Sequence, residues 1–178
     1  ITKDLDGKSK PLLFGYVRNL EPLLLSSPNR TYQISVGPIG DIERVYDNGI
    51  PIDFKYDLTT GIFSTVNNTV GTITCDVKGI NTSGGTYSDK LPSIIKYLVC
   101  TLGGLAAPKF ITSPLVGNIP IGYYLRERRN ILDILDDLIK SIDGYYGFDV
   151  EGNFFYGILA VPSNEIPQKL TGNSASRY

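Results

Sequence analysis

Hydrophobic and polar residues alternate along much of the first half of the chain, and this pattern predicts short β-strands. The alternation is clearest in 71–77, where polar residues separate Ile73, Cys75 and Val77. Further segments rich in the β-branched and aromatic residues that favour strands lie at 12–17, 31–36, 42–46, 50–54 and 62–66. The run Asp47-Asn48-Gly49 is typical of a tight hairpin turn. The first half therefore predicts antiparallel strands joined by short turns.

Two segments of the second half carry hydrophobic residues at helical spacing. The first predicted helix ends at Gly103-Gly104, since glycine is the usual residue after a helix. Its apolar stripe consists of Leu91, Ile94, Ile95, Leu98, Val99 and Leu102. The second predicted helix covers 131–142, with Asn130 as its N-cap and Gly144 in the left-handed position beyond its C-terminus. Both helices are amphipathic, so each is expected to pack one face on a sheet.

A β-hairpin is predicted directly after the second helix. Its strands, 145–150 and 153–159, are rich in aromatic residues and turn at Glu151-Gly152. The connection between the two helices, 105–121, contains proline and glycine and is expected to hold a short strand around Phe110.

These elements predict an α+β fold that is mainly an antiparallel β-sheet, or barrel-like, with two amphipathic helices and a C-terminal β-hairpin. We expect a β-rich subdomain at 1–79 and a helix–connection–helix–hairpin subdomain at 80–162. Residues 163–178 are polar and are expected to form a tail or linker.

The composition excludes several classes of function, whereas no motif identifies one. The 178-residue chain has a formal net charge of −1, whereas a sequence-independent phosphate binder normally has a basic surplus, and we expect no sequence-specific nucleic-acid binding. Arg126, Arg128 and Arg129 form the one dense basic cluster, which we interpret as a solvated approach to the second helix. No apolar run approaches the roughly 20 residues that span a bilayer. Two isolated cysteines, Cys75 and Cys100, indicate neither a disulfide framework nor a zinc site.

The sequence also lacks the residues of common enzyme mechanisms. It contains no histidine, which removes the most frequent general base and metal ligand. No nucleophile elbow, phosphate-binding loop or zinc-protease helix occurs. We therefore expect no enzyme activity, no cofactor and no metal.

Several carboxylate groups nevertheless deserve a structural explanation. Asp133, Asp136 and Asp137 share the polar side of the second helix, an arrangement with the residue types of a cation site or of a glycosidase-like pair. Their simpler interpretation is dipole complementation and pairing with Lys140. The pairs Asp41/Glu43 and Asp149/Glu151 have the residue types of a cell-wall hydrolase, but carboxylates at turns are commonplace. A carboxylate-based hydrolase stays the third hypothesis for the function.

Aromatic residues concentrate on the C-terminal hairpin. Strand alternation places about half of them in the core and the rest on the surface. Tyr145, Tyr146 and Phe155 are therefore candidate protein-interface residues, together with the basic Arg126 and Arg128. The alternative is a receptor- or carbohydrate-binding module, because exposed aromatic rings also stack on sugars.

Five segments together resemble tail-hub or baseplate structural proteins of tailed bacteriophages and related prophages. In chain order they are KPLLFGYVRNLEPLLL, TYQI, VYDNGIPI, GTITCDVKG and IGYYLRERRNILDILDDLIKSIDGYYGFDVEGNFFYGILAVP. The likeness extends from about residue 10 to residue 162 and lies in the order of scaffold segments. It contains no catalytic motif.

The resemblance implies a structural component of the virion, located at the tail tip or baseplate and synthesised in the bacterial cytoplasm. Proteins of that kind form rings, connect the tail tube to the tip and contact other tail proteins. A homo-oligomeric ring with tail and baseplate proteins as partners is therefore expected. The chain is much shorter than a full hub protein, so it is expected to correspond to one segment of such a protein.

Overall fold

A computed structural model describes residues 9–106, 109–112 and 116–159. Twelve strands in three sheets and two helical segments lie within them. The strands are β1 (Leu12–Leu20), β2 (Leu23–Ser26), β3 (Thr31–Gln33), β4 (Ile39–Asp47), β5 (Ile50–Ile52), β6 (Phe54–Asp57), β7 (Ile62–Thr65), β8 (Ile73–Ile80), β9 (Phe110–Thr112), β10 (Gly122–Leu125), β11 (Gly144–Phe148) and β12 (Phe154–Ile158). The predicted tail at 163–178 lies outside the described residues.

A five-stranded antiparallel sheet forms the centre of the fold, in the order β10-β1-β8-β4-β5. Successive side chains of a strand point to opposite faces, so the neighbours Leu13 and Phe14 enter different cores, and both are fully buried. The sheet therefore has one hydrophobic core on each face, which explains why β1 is nearly continuous in apolar residues.

One core lies between this sheet and a four-stranded antiparallel sheet, ordered β2-β3-β7-β6. Tyr32 and Phe63 pair across β3 and β7, with stacked rings 5.2 Å apart between centroids. Ser35 is completely buried here, and its Oγ accepts a hydrogen bond of 3.0 Å from the Leu13 amide. That bond satisfies a backbone donor of β1 that would otherwise be unpaired.

The other core lies between the central sheet and the helices. The first helix is α-helical over α1 (Leu91–Lys96) and continues as a π-helix over Tyr97–Leu102. The wider hydrogen-bonding pattern is seen where the Gly103 amide donates to the Leu98 carbonyl at 2.8 Å. It shifts the apolar stripe, so Leu102, predicted to be in it, is 40% exposed.

The second helix, α2 (Ile131–Lys140), begins as the sequence predicts. The Asn130 side chain accepts a hydrogen bond from the Leu132 amide, which satisfies one of the free donors of the first turn. Its C-terminus differs from the prediction, because Asp143 takes the left-handed conformation (φ 52°). Gly144 instead begins β11, where a Cβ atom would lie 2.7 Å from the Gly157 carbonyl oxygen.

The predicted hairpin is formed by β11 and β12, and β9 pairs with β12 in parallel to complete a three-stranded sheet. Asp149–Asn153 close the turn, with the Asp149 amide donating to the Asn153 carbonyl at 3.0 Å. The predicted short strand around Phe110 is thus confirmed, and its parallel pairing is a feature that local sequence does not carry.

Strand β10 links the two predicted subdomains, because it belongs to the second segment and pairs with β1 of the first. The approach is close at Gly15 (φ 63°), where a Cβ atom would lie 1.5 Å from the Ile121 carbonyl oxygen. Neither β10 nor β2 was predicted. The division at residue 79 stays a prediction.

The α+β class, the mainly antiparallel sheets, the two helices and the C-terminal hairpin are confirmed. The barrel-like description is only loosely met by the described residues, because each of the three sheets has two edge strands and none closes. The reason is that the central sheet is covered on both faces by separate cores and so has no need to curl on itself.

Candidate interaction surface

The register of the C-terminal hairpin decides which aromatic side chains are buried. Tyr146 pairs with Tyr156, and Phe148 pairs with Phe154, so these four share the face toward the helices. Phe154 and Tyr156 are buried in that core. Alternation then places Tyr145 and Phe155 on the opposite face.

We call Ile111, Tyr145 and Phe155 the outer aromatic face. Ile111 and Phe155 are cross-strand partners, and the Tyr145 and Phe155 rings lie 6.5 Å apart between centroids. Each ring covers a glycine of the neighbouring strand, because Cβ atoms on Gly157 and Gly147 would lie 2.8 Å from Tyr145 and Phe155, respectively. Tyr145 is 46% exposed and Ile111 is 44% exposed. The hairpin therefore presents an apolar face outside the core.

Tyr146, a third candidate interface residue, lies on the face toward the helices and is half-buried. Its hydroxyl donates a 2.7 Å hydrogen bond to Asp136 of α2. Burial, together with this carboxylate, raises the pKa of Tyr146 to about 12. Tyr146 thus fastens the hairpin to α2, while Tyr145 and Phe155 remain on the other side.

Arg126 and Arg128 follow β10, at the edge of a different sheet from the hairpin. Both are exposed, and Arg126 lies 3.6 Å from a Glu21 carboxylate oxygen. Within the described residues, no hydrogen bond or ion pair joins either arginine to β11 or β12. The structure therefore places the predicted basic and aromatic candidates in two separate groups.

The carboxylates of α2 are engaged in contacts that stabilise the fold. Asp137 accepts a 2.8 Å hydrogen bond from Tyr123 and pairs with Arg129, and these contacts lower its pKa. Asp136 accepts from Tyr146 and from Lys140, which lowers its pKa in the same way. Both side chains are anions at neutral pH, so neither is suited to donate a proton as a general acid.

The two acidic residues of the hairpin turn also have a structural explanation. Asp149 accepts hydrogen bonds from the backbone amides of Glu151 and Asn153 and from the Asn153 side chain. The Asn153 bonds are the main cause of its lowered pKa. This arrangement closes the turn, and the Glu151 carboxylate also accepts a hydrogen bond from the Asn153 side chain at 3.2 Å. Both carboxylates thus have a structural role at the turn.

A polar cluster on the central sheet joins Tyr16, Glu43 and Lys78 from three strands. Glu43 lies 2.8 Å from Lys78 Nζ and accepts a 2.8 Å hydrogen bond from the Tyr16 hydroxyl. Lys78 and then Tyr16 lower the pKa of Glu43, while Glu43 raises the pKa of Lys78. The pair is ionised and mutually neutralised at neutral pH. Sequence reasoning singled out Glu43 but missed its partners, which come from β1 and β8.

The remaining candidate chemistry is limited among the described residues. No group of three or more acidic or cysteine side chains there is placed to hold a metal ion. Both cysteines are free thiols, and burial raises the pKa of Cys75 above its usual value, which keeps it protonated. Nor does the described part of the chain hold a helix of the length and hydropathy needed to cross a membrane.

Comparison with known proteins yields little. No protein-family model matches the chain, and no curated protein matches it. One solved structure with a likeness to it is a 43 kDa tail protein of prophage MuSo2 from Shewanella oneidensis, at 16% sequence identity and a TM-score of 0.29. The match covers 83% of this chain and 54% of that protein, so the chain spans about half its length. A TM-score of that size does not establish a common fold.

Proposed function

We propose that this chain is a structural component of a phage tail, located at the tail tip or baseplate hub, and that it acts through contacts with other tail proteins. The observation that carries the proposal is the outer aromatic face, a partly exposed apolar surface on the side of the hairpin opposite its buried core. The resemblance of five scaffold segments to hub and baseplate proteins supplies the type of particle.

The contacts of the carboxylate groups support a role in assembly rather than in hydrolysis. Asp136, Asp137 and Glu43 are each tied to a cation and a tyrosine hydroxyl. These contacts hold strands and helices together. A hydrolase of the carboxylate type would instead need one carboxyl group kept protonated near neutral pH.

The partners in this proposal are other tail and baseplate proteins, within a homo-oligomeric ring. Tyr145 and Phe155 are proposed as the apolar contact, supported by their position on one face. Arg126 and Arg128 are proposed as a second, charged contact at the edge of the central sheet. Tyr146 supports the first contact from beneath through its bond to Asp136.

The test is incorporation into particles. Phage or prophage-derived particles are purified, and the parent protein is quantified by mass spectrometry and located by immunogold electron microscopy. We expect label at the tail tip and loss of incorporation in the Tyr145→Ala/Phe155→Ala variant. Tyr56→Ala is the matched control, because Tyr56 is 53% exposed on the four-stranded sheet. Absence of the protein from particles would refute the proposal.

The second candidate function, a carbohydrate-binding module, is favoured by the exposed ring of Tyr145 and the half-buried ring of Phe155 beside it. The two rings are tilted by 53° from each other, so they offer separate stacking positions. A glycan array distinguishes the two functions. Specific binding that is lost in Tyr145→Ala supports the carbohydrate module, whereas no binding supports assembly.

A further inference from the structure

Strand β11 is an open edge of the three-stranded sheet. The Leu159 amide donates to the Asp143 carbonyl and the Asp149 amide donates to the Asn153 carbonyl. In a regular antiparallel ladder the bonded residues alternate, so the backbone groups of Gly144, Tyr146 and Phe148 point away from β12. Within the described residues, these outward groups have no backbone partner.

Three other edge strands, β2, β5 and β6, carry features that discourage the addition of a further strand, and the remaining two, β9 and β10, are shorter than β11, with three and four residues. Pro51 lies in β5, Lys55 lies in β6, and the register of β2 shifts between Leu24 and Ser26. Strand β11 has the sequence Gly-Tyr-Tyr-Gly-Phe, without a charge, a proline or a register shift. As far as the described residues go, β11 is therefore a regular and unprotected edge.

Exposed hydrophobic side chains flank this edge on both faces of the sheet. Tyr145 lies on the outer aromatic face, and Phe148, which is 52% exposed, lies on the inner face. Val150 is fully exposed at the turn. An added strand would therefore bury apolar area in addition to forming backbone hydrogen bonds.

Acidic side chains lie at both ends of β11 and in the turn that follows it. Asp143 and Asp149 lie immediately before and after β11, and Glu151 follows in the turn. No lysine or arginine of the described residues forms an ion pair with these three, and Lys109 acts on Asp149 only as a minor cause of its lowered pKa. A bound strand with basic ends would complement them.

We propose that β11 accepts an added β-strand from a partner protein, in an extended segment of alternating apolar residues flanked by lysine or arginine. This inference rests on the proposed function, because it names the chemistry of the partner at the hairpin surface. Backbone hydrogen bonds to Gly144, Tyr146 and Phe148 supply the pairing. The flanking acids select a basic segment over an acidic one.

The experiment titrates the full chain with synthetic peptides. The probe is acetyl-KVTVTVK-amide, and the controls are acetyl-EVTVTVE-amide and acetyl-KVPVPVK-amide, which lacks two of the backbone donors. Binding is followed by fluorescence anisotropy of labelled peptide and by ¹⁵N chemical shifts. We expect the basic peptide to bind, to shift the amides of 144–148 and to weaken with added salt. The proline peptide should bind at least about fivefold more weakly, since a net hydrogen bond contributes about 1 kcal/mol. The acidic peptide should also bind more weakly, because its ends are repelled by the acids at the ends of β11.

A pair of variants isolates the backbone contribution. Phe148→Ala shortens the side chain, whereas Phe148→Pro also removes the outward amide, which an edge strand tolerates. We expect Phe148→Pro to bind about fivefold more weakly than Phe148→Ala, for the loss of one hydrogen bond. Both variants are first checked for cooperative unfolding. If Phe148→Pro does not fold, the peptide-induced chemical shifts of the amides of 144–148 in the unsubstituted chain show whether the peptide binds along β11.

A second variant isolates charge. Asp143→Asn/Glu151→Gln keeps the side-chain shapes, and asparagine tolerates the left-handed conformation of residue 143. We expect this variant to lose most of the preference for the basic peptide over the acidic one, because Asp149, which closes the turn, keeps its charge. Equal binding of the two peptides by the unsubstituted chain would overturn the inference.

Two further outcomes would overturn it. One is peptide-induced shifts outside the hairpin, and the other is a self-associated chain in which β11 pairs with a second copy and excludes the peptide. The particle test is independent of these results. A chain found in particles without peptide binding refutes this inference alone, and peptide binding by a chain absent from particles refutes the proposed function alone.

Discussion

Phe154 holds the three-stranded sheet against the helices, and its replacement by alanine tests that arrangement. It is completely buried in β12, the central strand of the sheet. Four rings surround it, with centroids 5.2–5.9 Å from its own. They belong to Phe110, Tyr146, Phe148 and Tyr156. Phe154→Ala therefore removes the ring that contacts all three strands.

The expected loss in the free energy of unfolding is about 3–5 kcal/mol, the cost of removing a buried phenylalanine ring and leaving a cavity. This is a large part of the ~5–15 kcal/mol that stabilises a typical domain. Phe154→Leu keeps most of the volume and should cost less, about 1–1.5 kcal/mol. The difference in unfolding free energy between the two variants measures the cost of the larger cavity that alanine leaves.

Urea unfolding followed by far-ultraviolet circular dichroism provides the assay. Tyrosine fluorescence serves as a second probe, because the chain contains no tryptophan. The midpoint should fall while the slope with denaturant stays constant. Val150→Ala, at a fully exposed position of the turn, is the control and should change nothing measurable. A loss below about 1 kcal/mol for Phe154→Ala would refute the central role of this ring.

Three further perturbations probe the fold. Ser35→Ala leaves the buried Leu13 amide without its acceptor and should lower the free energy of unfolding in urea by about 1–3 kcal/mol. Ser35→Cys keeps a weaker acceptor and should lower it less. An unchanged midpoint for Ser35→Ala would contradict the assigned bond. Gly15→Ala should unfold the chain or separate β10 from β1, seen as fast amide exchange at 122–125, because the Cβ atom meets backbone. The pKa values of Asp136 and Asp137 are lowered in the fold, so their ionised forms stabilise it above pH ~4, and this contribution is lost as the pH falls. Asp137→Asn should make the melting temperature depend less on pH between about pH 5 and pH 2. An unchanged pH dependence of the melting temperature would exclude this linkage.

Helix α2 and the hairpin were predictable because their signals are local. Asn130 caps the helix within two residues, and the apolar spacing of 131–142 identifies its buried face. The hairpin turn follows the same rule, since Asp149 bonds to residues two and four positions ahead. Such interactions depend on near neighbours in the chain, so the order of residues is sufficient to indicate them.

The pairing of strands β9 and β10 could not be predicted from local sequence. β10 pairs with β1 across more than 100 positions, and β9 pairs with β12 across more than 40. Nothing in a four-residue or three-residue strand identifies such a distant partner. The continuation of α1 as a π-helix was missed for a related reason, because Leu98 and Val99 are buried in the core that forms around them.

The candidate surface divides in the same way. Aromatic residues on a hairpin indicate one buried and one exposed row, but the register with β12 decides that Tyr145 and Phe155 are outside and Tyr146 is inside. The candidate arginines follow β10 of the central sheet, whereas the candidate aromatic residues belong to the three-stranded sheet. No spacing in the chain could indicate this separation. Likewise, Glu43 contacts Tyr16 and Lys78 only because three strands distant in sequence pair in one sheet.

The sequence by itself determined the elements with short-range causes: strand alternation, the N-cap and stripe of α2, the hairpin turn and the lack of histidine. Tertiary structure alone decided the pairing of distant strands, the two cores on opposite faces of the central sheet, and the open edge at β11. The physical reason is that turns and caps are satisfied within a few residues. Sheet edges and buried faces exist only after distant segments have packed.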